Sequence, residues 1–347
     1  MSNIFRGENL IFIVSQPRTG STLLQRILFS HPEVHSVSEP WVMLPPIYAL
    51  RERGVQAEYD HSLASDALRN FLSQTKNGEE SYFKGLRKMY GYLYEEITSE
   101  KQSKYFLDKT PRYYLIIEDI KRAFPGAKFI VLFRHPLAVL ASLIRKKPGR
   151  GLRFIQSNKL DLLRAPDLLI SGISQLGESG KVVRYEDLVR EPASVIQQIC
   201  SFVGIEFRQS MIQYGENVEA QWQFGDQKKI HEYSEPSEES IEKWIILASK
   251  DPKYWRLLND YLEFLGSDTM RKIGYSYKEE SSELRSQNHS SVSLYATLSL
   301  KRILNAGDRG SRSDQPAIGL VESFQKGGLV EATQHIFRLI RRRLPFS

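Results

Sequence analysis

The sequence predicts a three-layer, doubly wound α/β fold with a sheet of mainly parallel strands, and three observations carry that expectation. Short apolar runs rich in Ile, Val and Phe are bounded by turn residues, helical stripes separate them, and a turn with Pro17 and Gly20 joins the first run to a helix start. In chain order, Leu10 to Val14, Tyr105 to Leu107, Phe129 to Phe133 and Val182 to Tyr185 read as strands buried on both faces. The helical stripes are Leu23, Leu24, Ile27 and Leu28, then Leu115, Ile116, Ile120 and Phe124, then Val139, Leu140, Leu143 and Ile144. In such a sheet, ligands are expected outside the carboxyl ends of the strands.

Trp41 to Ser103 forms a long insertion between the first two expected strands. It opens in the loop EPWVMLPPIY and continues into two helical segments, the second carrying Tyr82, Phe83, Leu86, Met89, Tyr90 and Leu93 at three- and four-residue spacing. Most of that stripe is expected in the core, and 41–103 as a whole is expected to supply an acceptor pocket or lid. After Tyr277 the chain turns to KEESSELRSQNHSSVS and NAGDRGSRSDQP, poor in apolar residues. The expected organisation is therefore one domain over 1–277, followed over 278–347 by a polar linker and a helical C-terminal extension. That extension, GLVEATQHIFRLIRRRLPFS, has the pattern of a basic amphipathic helix, suited to docking on its own domain or to contact with an anionic membrane.

With 41% hydrophobic residues the chain can bury a substantial core. Its 48 basic and 41 acidic side chains leave +7, clustered at Arg145 to Arg153 and Arg338 to Arg343. That balance suits nucleic acid, an anionic membrane or a small polyanionic ligand, and charge alone does not choose; the motifs below lead to the expectation of a small-molecule acceptor and no nucleic acid. Cys200 is the single cysteine, so an intramolecular disulfide and a cysteine-rich metal site are both excluded. The first residues lack an apolar signal core and no run of about eighteen uncharged apolar residues occurs, so a cytoplasmic protein is expected.

The functional signal lies in SQPRTGSTLLQRIL. A loop that leaves a buried strand and enters a helix points backbone N–H groups and the positive end of the helix dipole at whatever sits in front of it. Gly20 lets the main chain approach closely, Thr19, Ser21 and Thr22 offer hydroxyls, and Arg18 offers a guanidinium. The nucleotide-triphosphate loop has a glycine five residues earlier and a lysine after the second glycine; here those positions are Ser15 and Ser21. A second anion site is expected in FIVLFRHPLAVLASLIR, where Arg134 ends a strand and Ser142 lies on the helix begun by Pro136.

These segments, with FLDKTPRYY, VVRYEDL and more loosely FGDQKKIHEYSEPSEESIEKW, resemble the sulfotransferases that use 3′-phosphoadenosine 5′-phosphosulfate (PAPS). The resemblance spans roughly Ile11 to Trp244 and implies the P-loop NTPase-like sulfotransferase fold. It implies that Arg18, Thr19, Gly20, Ser21 and Thr22 cradle the 5′-phosphosulfate and that Arg134 and Ser142 hold the 3′-phosphate. Tyr185 falls where relatives place a residue near the adenine or 3′-phosphate. Lys228 falls in a late loop that closes over the nucleotide in many relatives, although the Arg-Lys-Gly of cytosolic animal members is missing here. PAPS would be the donor and 3′,5′-ADP (PAP) the product, with no metal required.

The reaction implied is an in-line displacement at sulfur, in which charge on the equatorial oxygens and the leaving phosphate must be stabilised. Arg18 and Lys109 are the expected cations. Cytosolic relatives place a basic histidine two residues after a comparable lysine, and that position is Pro111 here. Protein-tyrosine sulfotransferases use a glutamate shortly after HP-[DE]-V, and HPEVHSVSEP places Glu39 there. Glu39 is the expected general base, with His35 and His31 behind it, and a small molecule or natural product is the expected acceptor. The alternatives are a P-loop kinase or NTPase and a non-catalytic PAP-binding protein with a membrane-docking tail.

Overall fold

The structure, a computed structural model, describes residues 6–146, 151–217, 234–287 and residue 300. Five strands form a single sheet: β1 (Leu10–Ser15), β2 (Val34–Ser36), β3 (Tyr105–Lys109), β4 (Lys128–Phe133) and β5 (Gly180–Arg184). Their order across the sheet is β2-β3-β1-β4-β5 and every pairing is parallel. Central β1 is buried along its whole length. Its alternate residues feed two cores, Leu10, Phe12 and Val14 on one face and Ile11 and Ile13 on the other.

Helix α1 (Ser21–Phe29) follows β1 and packs Leu24, Ile27 and Leu28 on the second face. The insertion contains α2 (Leu44–Tyr48), α3 (His61–Ser73) and α4 (Glu79–Glu100). Asp60 caps α3 by accepting from the N–H of Leu63 at 3.0 Å. The first face is covered in part by α4, whose Tyr94 ring lies 4.9 Å from Phe106 and whose Phe83 is fully buried. The same face receives α5 (Ile117–Ala123), α6 (Pro136–Lys146), α7 (Gly151–Ser157) and α8 (Lys159–Leu176). Beyond β5, α9 (Tyr185–Arg190) and α10 (Pro192–Val203) return to the second face. Cys200 sits in that core, where burial pushes its thiol up to about 11. Finally α11 (Lys243–Lys250), α12 (Pro252–Lys272) and α13 (Tyr277–Ser286) complete the first face.

The expected doubly wound sheet is present, with four differences. Strand β2 has no counterpart in the sequence reading because its three residues are too few to make a pattern, and the insertion therefore leaves β2 rather than β1. Strand β5 ends at Arg184, Tyr185 opens α9, and Val182 is 47% exposed because β5 is an edge strand rather than one buried on both faces. On α4, Phe83 and Leu86 are buried but Met89 and Leu93 are exposed, since only one side of that helix meets the sheet. The polar stretch expected as linker from 278 begins instead as α13, capped by Ser276 and anchored by buried Leu284, whose carbonyl accepts from Trp255 Nε1 at 2.6 Å. The rest of the expected C-terminal extension lies outside the described residues, apart from buried Leu300. Among the described residues no helix is long and apolar enough to cross a membrane.

Candidate active site

The chain leaves central β1 toward β2 and β3 on one side and later crosses to β4 and β5 on the other, which opens a crevice at the carboxyl end of β1. A cavity of about 540 Å³ occupies that crevice. Its floor is the loop between β1 and α1. Arg18 and Gly20 both adopt left-handed backbone, with φ of 78° and 93°. Ser21 and Thr22, the first residues of α1, line the cavity, where a helix start offers backbone N–H groups and the positive end of its dipole.

Thr19 turns inward: its hydroxyl donates to the Gln16 carbonyl at 2.9 Å and the residue is buried, so its side chain braces the loop rather than facing the cavity. A Cβ at Gly20 would stand 2.4 Å from Cδ2 of Tyr185, on a backbone that L side chains avoid. Gly20→Ala is therefore expected to displace Tyr185 from the loop and from Arg134 and to lower Tm in thermal denaturation. A wild-type Tm in that variant would show that the close approach of ring and loop is not required.

Arg134 leaves β4 and bridges the loop to the far wall. It donates to the carbonyls of Arg18 at 3.2 Å and Ser240 at 2.8 Å, and its guanidinium lies 4.3 Å from the centre of the Tyr185 ring. Its Nε is buried without a partner, and burial lowers its pKa. Tyr185 shares a 2.6 Å hydrogen bond with Ser240. Arg18 Nε donates to Ser142 Oγ at 3.2 Å. The two anion sites expected separately from the sequence thus form one continuous surface, from Thr22 through Arg18 and Ser142 to Arg134.

On the other side of the loop, Lys109 ends β3 with its side chain 1% exposed. Its Nζ lies 2.8 Å from Glu39 Oε1 and 3.4 Å from Thr22 Oγ1, so one ammonium joins the start of α1 to the glutamate. The second oxygen of Glu39 accepts from Trp41 Nε1 at 3.3 Å. Neither histidine lines the cavity. His31 is buried and accepts the Glu33 N–H at 3.2 Å, while His35 packs its ring 5.7 Å from Phe29; burial pushes both imidazoles down. Although four residues apart, they occupy a turn and a strand, and no cluster of three metal-ligating side chains occurs among the described residues. Lys228 lies outside the described residues.

Several lining residues escaped the sequence reading. Arg112 makes a two-pronged contact with Asp161 at 2.8 and 3.1 Å, and Tyr114 donates to the same buried carboxylate at 2.7 Å. The guanidinium of Arg112 faces Trp41 at 5.8 Å. Arg112 lies within a quoted motif, yet nothing in its spacing marks it as cavity wall, and Tyr114 stands behind that wall. Of 41–103, only Trp41 lines the cavity; the insertion helices pack against the sheet flank, so the expected contribution of the insertion narrows to its first residue. Beneath the wall, burial pushes the Asp108 carboxyl up to about 7 against the pull of three hydroxyls and Lys109.

A parallel sheet whose central strand feeds a left-handed anion loop, with an arginine from the next strand and a lysine–glutamate pair beside it, defines a class of group-transfer proteins that hold an anionic donor. A model of the sulfotransferase family matches residues 10–209, and a sulfotransferase domain model matches 179–243. The first match covers more than half of the sequence, and the chain belongs to the sulfotransferase family. It is 25% identical to nodulation protein NoeE of Sinorhizobium fredii (strain NBRC 101917 / NGR234) over 77% of this chain and 66% of NoeE. It is 26% identical to a putative protein-tyrosine sulfotransferase of Caenorhabditis briggsae, over 76% of this chain and 90% of that protein. With protein-tyrosine sulfotransferase 2 of Gallus gallus the identity is 25%, over 60% of this chain and 54% of the relative. Among solved structures, the sulfotransferase domain from the curacin biosynthetic pathway superposes with a TM-score of 0.50 at 21% identity, over 77% of this chain and 97% of that domain. That likeness supports the fold.

Proposed function

We propose that this protein transfers the sulfuryl group of PAPS to a hydroxyl or amine of a small molecule or natural product by in-line displacement. The observation that carries the reading is the continuous donor surface from Thr22 to Arg134, bordered by the Lys109–Glu39 pair. The residues fit such a nucleotide: Gly20 lets the Tyr185 ring close against the anion loop, Arg134 keeps a buried unpartnered Nε, and the surface is lined by donors. Bound there, PAPS supplies an activated sulfuryl group and a phosphate leaving group.

Within the chain, Arg18, Ser21, Thr22 and the N-terminus of α1 would hold the 5′ end, and Arg134 and Ser142 the 3′ end, with Tyr185 packed beneath Arg134. Thr19 supports the loop from inside. Lys109 is buried behind the cavity wall between Glu39 and Thr22 and does not itself line the cavity, so it would act on the transferred group through its charge while Glu39, which does line it, takes the acceptor's proton. Lys228 is carried as a further nucleotide ligand on the family resemblance. On the family resemblance the reaction would need no metal, with Arg18, Lys109 and Arg134 supplying the cationic charge that phosphoryl-transfer enzymes draw from Mg²⁺.

PAP at about 100 times its Kd should stabilise the protein by about 2.7 kcal/mol, read as a rise in Tm. ATP with Mg²⁺ should give the smaller shift, and the reverse order would favour a triphosphate enzyme. Arg134→Ala is expected to weaken PAP binding by about 2–5 kcal/mol in calorimetry, since the dianion loses its buried partner; unchanged affinity would remove Arg134 from the site. Labelled PAPS incubated with host-cell extract, followed by mass spectrometry, identifies the acceptor. Tyrosine in a protein is the second reading, favoured by the names of relatives, and label in a polypeptide fraction would establish it.

A further inference from the structure

Asp108 is buried in β3, and three hydroxyls donate to its carboxylate. Tyr94 and Tyr113 reach Oδ2 at 2.8 and 3.0 Å, and Thr110 reaches Oδ1 at 3.2 Å. Two of these hydroxyls also accept from the backbone that follows Glu39. Thr110 Oγ1 takes the N–H of Trp41 at 3.2 Å, and the Tyr113 hydroxyl takes the N–H of Met43 at 3.2 Å. A hydroxyl that gives its one proton to Asp108 presents only lone pairs to the backbone, so the carboxylate orients both contacts.

The segment held this way is strained. Trp41 has φ of 58°, an outlier for a bulky side chain, which persists only where its surroundings over-determine it. In that conformation its indole donates to Glu39 Oε2 at 3.3 Å while Lys109 holds Oε1 at 2.8 Å. Asp108 and Lys109 are neighbours on β3, so their side chains leave opposite faces of the strand. The end of one strand therefore holds Glu39 twice, directly through Lys109 and indirectly through Asp108, Thr110 and Trp41.

We propose that Asp108, acting through Thr110 and Tyr113, is a positioning residue that holds the Trp41–Met43 backbone and thereby fixes the orientation of the Glu39 carboxylate at the cavity wall. The catalytic side of this proposal rests on Glu39 being the proton acceptor. Thr110→Val removes the link with almost no change of volume, Thr110→Ser restores it, and Tyr113→Phe removes the parallel link.

The test uses the full chain and three readouts: the Trp41 indole N–H resonance, identified among the four tryptophans by Trp41→Phe, PAP affinity by calorimetry, and turnover of labelled PAPS with host-cell extract. In Thr110→Val the indole resonance should shift and turnover should fall ~10²-fold, the usual cost of a displacement of about 1 Å, while PAP affinity is unchanged. Thr110→Ser should reverse both changes, and Tyr113→Phe should move the same resonance. An unmoved resonance in Thr110→Val overturns the proposal. So does full turnover beside an inactive Glu39→Gln, or an equal loss of PAP affinity and turnover, which would mark a structural role. Full turnover in Glu39→Gln is a separate failure, of the base assignment, and the resonance then decides whether Asp108 holds the segment.

Discussion

Glu39→Gln is expected to lower kcat by ~10²–10⁴, which corresponds to about 2.7–5.5 kcal/mol of lost transition-state stabilisation. Glu39 lines the cavity with its side chain 15% exposed, and its two oxygens meet Lys109 and the Trp41 indole. Glutamine keeps the shape but has one accepting oxygen, so it keeps the Lys109 contact and gives up the longer one to Trp41, and it cannot take a proton. The loss should therefore appear in kcat, with PAP affinity in calorimetry close to wild type. Wild-type kcat with the acceptor found in the labelled screen would remove Glu39 as base, and neither His31 nor His35 could replace it directly, because neither lines the cavity.

Lys109→Met is expected to lower kcat by ~10²–10³ through lost charge stabilisation and also to lower Tm. Methionine fills most of the space of a side chain that is 1% exposed, so the change removes charge without opening a large cavity. What remains is a mostly buried glutamate without its cation, and breaking such a pair from one side costs more than replacing both members. The double variant Lys109→Met, Glu39→Gln should recover much of the Tm lost in Lys109→Met while staying inactive. Recovery of activity along with Tm would mean that the pair is only structural. A Lys109→Met protein with wild-type kcat would leave Arg18 and the start of α1 to stabilise the transferred group.

Legibility from sequence followed the length and purity of each pattern. Strands β1 and β4 were plain because five or six apolar residues stand between turn residues, whereas β2 has three residues with a histidine at its centre. Asp108 and Lys109 extend β3 past its expected end. Charged residues are seldom wholly buried unless paired, so sequence alone placed Lys109 just after the strand. The α4 stripe could not reveal which side of the helix the sheet would cover. Serine and glutamate after Tyr277 looked like linker, although one leucine and a serine cap were enough for a helix once α12 offered a surface.

The site divides in the same way. A left-handed glycine turn between a buried strand and a helix is a local matter, set by which residues tolerate positive φ, and Arg18 to Thr22 with Arg134 and Ser142 could be read from order and spacing. Glu39 was visible through family resemblance rather than through its own pattern. That Glu39 and Lys109, seventy residues apart, share a 2.8 Å contact is a product of β2 lying beside β3. The pairing of β1 with β4 joins the two expected anion sites through Arg18 and Ser142, and that of β2 with β3 brings Thr110 and Tyr113 beneath Trp41, while Thr19 turns inward through a local bond to Gln16. By itself the sequence determined the alternating α/β class, the anion loop and the chemical types of the candidate residues, because backbone preference and hydrophobic period act over a few neighbours. Which of those residues meet, which turn away, and which carboxylate is held at the cavity wall was decided only by strand order and packing, which act between residues far apart in the chain.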